Sequence, residues 1–138
     1  MPNIYSKPTE EHTIGVAVNR CYGGFSLSEK AVEILRTRIG DPNIKCYSFD
    51  SSQKYPRHHP ILIEVIKELG EEADGCFSEI VIEYIEEIYK DFYSISEYDG
   101  MEGVNINFNR FRNEQLKNIL YSEETDSIKV IKMKEILK

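Results

Sequence analysis

The chain has 138 residues, long enough to bury a hydrophobic core within one domain. Its 24 acidic and 17 basic residues give a net charge of −7, which argues against general binding to nucleic acid or anionic lipid. No apolar run approaches the roughly 20 residues of a membrane span, and the N-terminal stretch 1–7 lacks the apolar core of a signal sequence. We therefore expect a cytoplasmic protein without membrane or nucleic-acid partners.

The first strand and helix are predicted from one continuous stretch. A β-branched, weakly alternating run over 12–18 predicts a strand that ends near Asn19. Ser26 followed by Glu29 matches the capping box, so we expect the helix cap at Ser26. Gly40 lies where a left-handed residue would end this helix.

The remaining elements alternate between strand and helix patterns before a run of strands. They are a strand over 44–49, a helix over 60–69, strands over 76–85, 92–98 and 104–108, and helices over 110–121 and 129–138, where the last pattern favours a helix only slightly over a strand. We expect a hairpin between 76–85 and 92–98, and a turn at Asp99 and Gly100.

This order predicts a single α+β domain over 1–138. It would have a mixed β-sheet with two helices on one face, a C-terminal antiparallel meander and a helical extension. Residues 1–11 are polar and contain two prolines, which is typical of a flexible arm.

The glycine turn between the first strand and helix is the first candidate binding site. Gly23 and Gly24 permit positive φ and a close approach of backbone amides to a phosphate or carboxylate, with Arg20 or Arg57 as counter-charge. The alternative is that the glycines only fit a tight turn and the neighbouring aromatic residues are core. The candidate ligand-binding residues are Arg20, Cys21, Tyr22, Gly23, Gly24, Ser26, Arg57, His59, Asp99 and Glu102.

Cys21 is a candidate nucleophile because it precedes a helix N-terminus, with His58 or His59 as a possible base. The alternative is a small buried apolar residue. Three cysteines without a CxxC pair argue against a disulfide framework and against a zinc site. We predict no metal and no cofactor, and we assign no catalytic residue.

The stretch 71–102 is strongly acidic, with eleven carboxylates and one lysine. Such a stretch is typical of a solvated face, and it could also bind a basic partner. A further alternative is that Glu97, Asp99 and Glu102 fold back onto the glycine turn, where they could bind a ribose hydroxyl or a guanidinium.

Four sequence motifs occur in order along the chain. They are NRCYGGFSLS at 19–28, HPILIEVIKELG at 59–70, ADG at 73–75 and SEYDGME at 96–102. The set resembles a family of small proteins from tailed phages, prophages and large DNA viruses, over about residues 14–104. The resemblance implies a viral origin but no activity. The chain departs from it at His59, where the family usually has Asp, and 105–138 is an extension.

Three function hypotheses follow. The first is a small viral non-enzymatic binding module that holds an anionic small molecule or nucleotide at the Gly23–Gly24 turn. The second is an interaction factor that acts on a host protein through the acidic hairpin and the C-terminal extension. The third is a cysteine-dependent enzyme. Sheet edges and the apolar C-terminal segment could also support a homodimer.

Overall fold

The computed structural model describes residues 12–49 and 54–138, and within these ranges the fold is α+β. The elements are β1 Thr13–Asn19, α1 Glu29–Ile39, α2 Pro60–Leu69, β2 Ile80–Glu86, β3 Tyr93–Tyr98, β4 Met101–Ile106, α3 Phe108–Leu120 and α4 Asp126–Ile136. Short 3-10 helices cover Gly70–Ala73 and Glu87–Tyr89. The predicted fold class is confirmed, whereas the predicted arm over 1–11 lies outside the described residues.

The chain divides into two compact units, residues 1–105 and 106–138. The first carries α1, α2 and the strands, with β4 ending at its boundary. The second consists of α3 and α4, which pack against each other without burying a residue of either helix. Both C-terminal helices were predicted. None of the described helices is long and apolar enough to cross a membrane.

The strands form two antiparallel pairs, β1 with β2 and β3 with β4, among the described residues. Thr13 pairs with Glu86 at one end of the first sheet, and Asn19 with Ile80 at the other. The predicted single mixed sheet is wrong, and so is the hairpin between β2 and β3. Of the predicted meander, the antiparallel pairing of β3 with β4 across the turn at Asp99 and Gly100 is present. The physical reason is that β1, fully buried over Val16–Val18, pairs with β2 along its whole length, while the chain after β2 turns into a 3-10 helix.

The predicted strand over 44–49 is instead a turn centred on Cys46 and Tyr47. The amide of Lys45 donates to the Ser48 hydroxyl at 2.7 Å, and the Ser48 amide donates to the carbonyl of Lys45 at 3.1 Å. This local hydrogen bonding competes with pairing in a sheet, so only an isolated bridge between Phe49 and Tyr55 remains.

Helix α1 is capped by Ser28, and the predicted cap at Ser26 is wrong by two residues. The Ser28 hydroxyl oxygen accepts from the Ala31 amide at 3.1 Å, which satisfies one of the amides exposed at the helix start. The carbonyl of Ser26 accepts from the Gly75 amide at 2.9 Å, which keeps Ser26 outside the helix. Gly40 ends the helix at φ 81°, as predicted.

The hydrophobic core lies between β1, α1 and α2. Helix α2 contacts both strands of the first sheet and packs against α1. Burying each large apolar side chain stabilises the fold by about 1.5–3 kcal/mol. The largest contributions come from Val32 and Leu35 of α1, Leu62 and Val65 of α2, and Ile44 and Phe49 of the turns before α2.

Candidate functional site

A buried ion pair, Arg57 with Glu102, lies at the centre of the candidate site. Arg57 Nη1 and Nη2 donate to the two carboxylate oxygens of Glu102 at 2.7 and 2.9 Å, and both side chains are only 8% exposed. Arg57 Nε donates to the Phe49 carbonyl at 2.7 Å, and Nη1 also to that of Ala17 at 3.1 Å. The guanidinium carbon lies 3.6 Å from the centre of the Phe25 ring. The charge of Arg57 is therefore neutralised within the chain, and its side chain ties three segments to β4.

Asn19, at the end of β1, extends this network. Its amide nitrogen donates to the carbonyls of Cys21 and Gly100 at 2.6 and 2.7 Å, and its side-chain oxygen accepts from the Glu79 amide at 2.8 Å. Its backbone amide donates to Glu102 Oε1 at 2.9 Å. Asn19 is fully buried, so these bonds offset the cost of removing its amide from water. The role of Asn19 was not predicted from the sequence, although a polar residue at the end of an apolar strand can indicate a buried hydrogen-bonding side chain.

The glycines of the turn and of the β3–β4 hairpin allow a close approach of two backbones. An added Cβ on Gly100 would lie 2.5 Å from both the amide nitrogen of Gly24 and the carbonyl oxygen of Tyr22. An added Cβ on Gly23 would lie 1.8 Å from the carbonyl oxygen of Phe77. The motif segments 19–28 and 96–102 are thus in direct contact, and packing alone accounts for Gly23 and Gly100.

The amides near the start of α1 have acceptors within the chain. The Leu27 amide donates to the Cys46 carbonyl at 3.1 Å, and the Ser28 amide to the Ala73 carbonyl at 2.9 Å. Glu29 adds a negative charge to the first turn. These contacts occupy donors that a phosphate at this helix end would need.

An open pocket of about 350 Å³ lies beside the contact between the two motifs. Its lining combines aromatic rings with one guanidinium and two carboxylates. The lining residues are Gly24, Phe25, Tyr47, Phe49, Arg57, Ile95, Glu97, Gly100 and Glu102. Because Glu102 neutralises Arg57, the exposed carboxylate of Glu97 gives this lining a net negative charge.

Three of the sequence-predicted residues, Gly24, Arg57 and Glu102, line this pocket, and the others do not. Arg20 pairs with Glu83 at 3.0 Å on the surface. The positions of the rest are as follows: Cys21 is half-buried, Tyr22, Gly23 and Asp99 are exposed, and Ser26 is half-buried against Gly75.

The two adjacent histidines make contacts away from Cys21. His59 caps α2, where its Nδ1 accepts from the Ile61 amide at 3.2 Å. His58 Nδ1 lies 2.6 Å from the hydroxyl of Tyr93. Burial lowers the pKa of both imidazoles, so both favour the neutral form.

In the described ranges, no three His, Cys, Asp or Glu side chains are grouped as a metal site, and all three cysteines are free.

Comparison with models of protein families, with curated proteins and with solved structures gave no match to the chain. The resemblance to the viral family therefore stays a prediction, and the candidate site rests on its geometry.

Proposed function

We propose that the chain is a small non-enzymatic binding module whose pocket beside the Gly23–Gly24 turn holds a planar molecule with hydrogen-bond donors, such as a nucleobase or nucleoside. The observation that supports this proposal is the lining, in which the half-buried ring of Phe25 and the exposed ring of Tyr47 accompany the exposed carboxylate of Glu97. Aromatic side chains favour planar rings, and a carboxylate accepts hydrogen bonds from ring N–H groups.

The charge of the lining changes the ligand expected from the sequence alone. An anion at this turn would need a cation, and the guanidinium of Arg57 already donates to Glu102 and to two carbonyls. A phosphate near Glu97 would be repelled. If a nucleotide binds, we propose that its base occupies the pocket and its phosphate points to solvent.

The test is a thermal-shift screen of the purified chain with the common nucleosides, their monophosphates and inorganic phosphate. A ligand that binds only the folded state raises the melting temperature by mass action. We expect a dose-dependent rise with at least one nucleoside and none with inorganic phosphate. A flat response to every nucleoside, or a response to inorganic phosphate alone, would contradict the proposal.

Variants of exposed lining residues separate the pocket from the fold. The Gly100 amide donates a hydrogen bond to Glu97 Oε1 at 2.6 Å. Glu97→Gln keeps an oxygen for this hydrogen bond but removes the negative charge. Tyr47→Ala removes an exposed ring. Both changes should abolish the nucleoside response, whereas the matched surface controls Tyr84→Ala and Glu86→Gln should retain it.

A second candidate function is binding of a host protein through the C-terminal unit. No residue of α3 or α4 is buried, and Leu120, Tyr121 and Ile131 are exposed. Large exposed apolar patches often mark interaction sites, including homodimer contacts. Sedimentation of the wild type and of the Tyr121→Ser and Ile131→Ser variants tests for the homodimer. If these apolar side chains form the dimer contact, both variants should dimerise more weakly than the wild type.

We also propose a viral origin and a cytoplasmic location. The viral origin rests on the motif resemblance, and the location on three cysteines left as thiols, which suits a reducing compartment.

A further inference from the structure

Three aromatic residues that do not line the pocket are exposed on neighbouring segments, two of them on loops and one at the end of β3. Tyr22, Phe77 and Tyr98 are 68%, 82% and 77% exposed. The backbone at Gly23 touches that of Phe77, and the backbone at Gly100, two residues after Tyr98, touches that of Tyr22. The three loops are therefore in contact, and we call Tyr22, Phe77 and Tyr98 together the aromatic surface.

Backbone strain falls on the same loops. Phe77 at φ 62° and Asp99 at φ 51° are the two non-glycine residues in the left-handed region within the described residues. Asp99 precedes Gly100 in the tight β3–β4 turn, where aspartate commonly adopts this φ, so the strain is that of Phe77. This conformation costs a bulky residue stability, and residues strained in this way are concentrated at functional sites. An 82% exposed phenylalanine gains little from burial, so folding alone gives no reason for an aromatic residue at this position.

The charge around the aromatic surface is negative. The loops 20–24, 74–79 and 97–100 carry one basic residue, Arg20, which pairs with Glu83. They also carry Asp74, Glu79, Glu97 and Asp99, and none of these four makes a salt bridge to a basic side chain within 12–49 or 54–138. Residues 1–105 hold ten basic and nineteen acidic residues, a net charge of −9, so the local charge follows that of the whole unit.

We infer that the aromatic surface binds an arginine- or lysine-bearing segment of a partner protein. Cations bind the faces of Tyr and Phe rings, and neighbouring carboxylates add attraction and orient the contact. Aromatic residues dominate the energy of protein interfaces, and the acidic charge excludes a nucleic acid or an anionic membrane as the occupant. The three rings of this surface do not line the pocket proposed for a nucleoside, although Gly24, Glu97 and Gly100 of the same segments do.

The test uses fluorescence anisotropy with a short labelled peptide in which arginine and alanine alternate, and a control peptide in which glutamate replaces arginine. The deciding variant is the double change Phe77→Gly and Tyr98→Ser, which alters no charge. Glycine suits the left-handed φ at residue 77, so the variant should keep its fold and its melting temperature. Tyr121→Ser, in the second unit, is the matched control for loss of an exposed ring.

We expect the arginine peptide to bind, and its affinity to fall about tenfold or more in the double variant but not in Tyr121→Ser. Three results would each overturn the inference: no binding of the arginine peptide, equal binding of the glutamate peptide, or equal affinity of the wild type and the double variant. Self-association of the wild type that disappears in the double variant would assign the surface to a second copy and would also overturn it. The peptide test uses a different ligand and different variants from the nucleoside screen, so its result does not depend on whether a nucleoside binds.

Discussion

Replacing Glu102 with glutamine tests whether the buried ion pair holds the motif segments together. Glutamine has nearly the same shape and keeps an oxygen for the Asn19 amide and for Arg57 Nη1. Its NH2 group, however, faces Arg57 Nη2, where two donors meet in place of the 2.9 Å hydrogen bond. The guanidinium stays 8% exposed and loses its counter-charge.

The expected cost follows from this geometry. Removing one partner of a buried ion pair leaves an uncompensated charge and typically costs about 3–5 kcal/mol. The two carbonyls of Phe49 and Ala17 still accept from Arg57, so we expect the lower end, about 3 kcal/mol. With a urea m value of about 1.5 kcal/mol/M, the unfolding midpoint should fall by roughly 2 M.

The assay is urea unfolding followed by far-UV circular dichroism. Glu83→Gln is the matched control, because its partner Arg20 forms an exposed pair at 3.0 Å. Exposed pairs contribute about 0.2–1 kcal/mol, so this variant should unfold close to the wild type. A loss below about 1 kcal/mol in Glu102→Gln, equal to that of the control, would refute the reasoning.

Three further changes probe the turn, the cap and the histidine. Gly100→Ala should destabilise the chain more than Gly24→Ala, since both have positive φ but only the Cβ at residue 100 meets backbone atoms at 2.5 Å; equal urea midpoints would show that the contact can relax. Ser28→Ala should cost about 1 kcal/mol as the α1 cap and Ser26→Ala clearly less; the reverse order in thermal unfolding would place the cap at Ser26. Burial lowers the folded-state pKa of His59, so the unfolded chain binds a proton at this imidazole at a higher pH than the folded chain does, and stability should fall from about pH 7 to pH 5. His59→Asn keeps an acceptor for the cap of α2 and should flatten this fall. An identical pH profile of the urea midpoint in the variant and the wild type would contradict this prediction.

The elements predicted correctly are those specified by nearby residues. Helix α2 runs from Pro60 to Leu69 as predicted, because proline favours the first helical turn and Gly70 the end. Gly40 ends α1 for the same kind of local reason. Ser26 and Ser28 both fit a cap pattern, and the choice between them depends on Ala73, which accepts from the Ser28 amide from a distant part of the chain.

Pairing between distant segments was not predictable from the pattern. Alternation along β2 indicates a strand but not whether β1 or β3 lies beside it. The same limit applies to the candidate site. Arg57 and Glu102 were both chosen as ligand-binding residues, yet 45 positions separate them, and no periodicity indicates that they bind each other. Glu97 and Tyr47 line the pocket only because the hairpin and the turns before α2 meet there.

The most direct test of the central claim is a ¹H–¹⁵N NMR titration of the labelled chain with each of the common neutral nucleosides. Gly24 and Gly100 both line the pocket, one from the turn after β1 and one from the β3–β4 hairpin, and each provides an amide reporter. We expect saturable shifts at both amides, with no comparable shifts in α3 and α4. An absence of shifts at Gly24 and Gly100, or shifts confined to the second unit, would contradict the account.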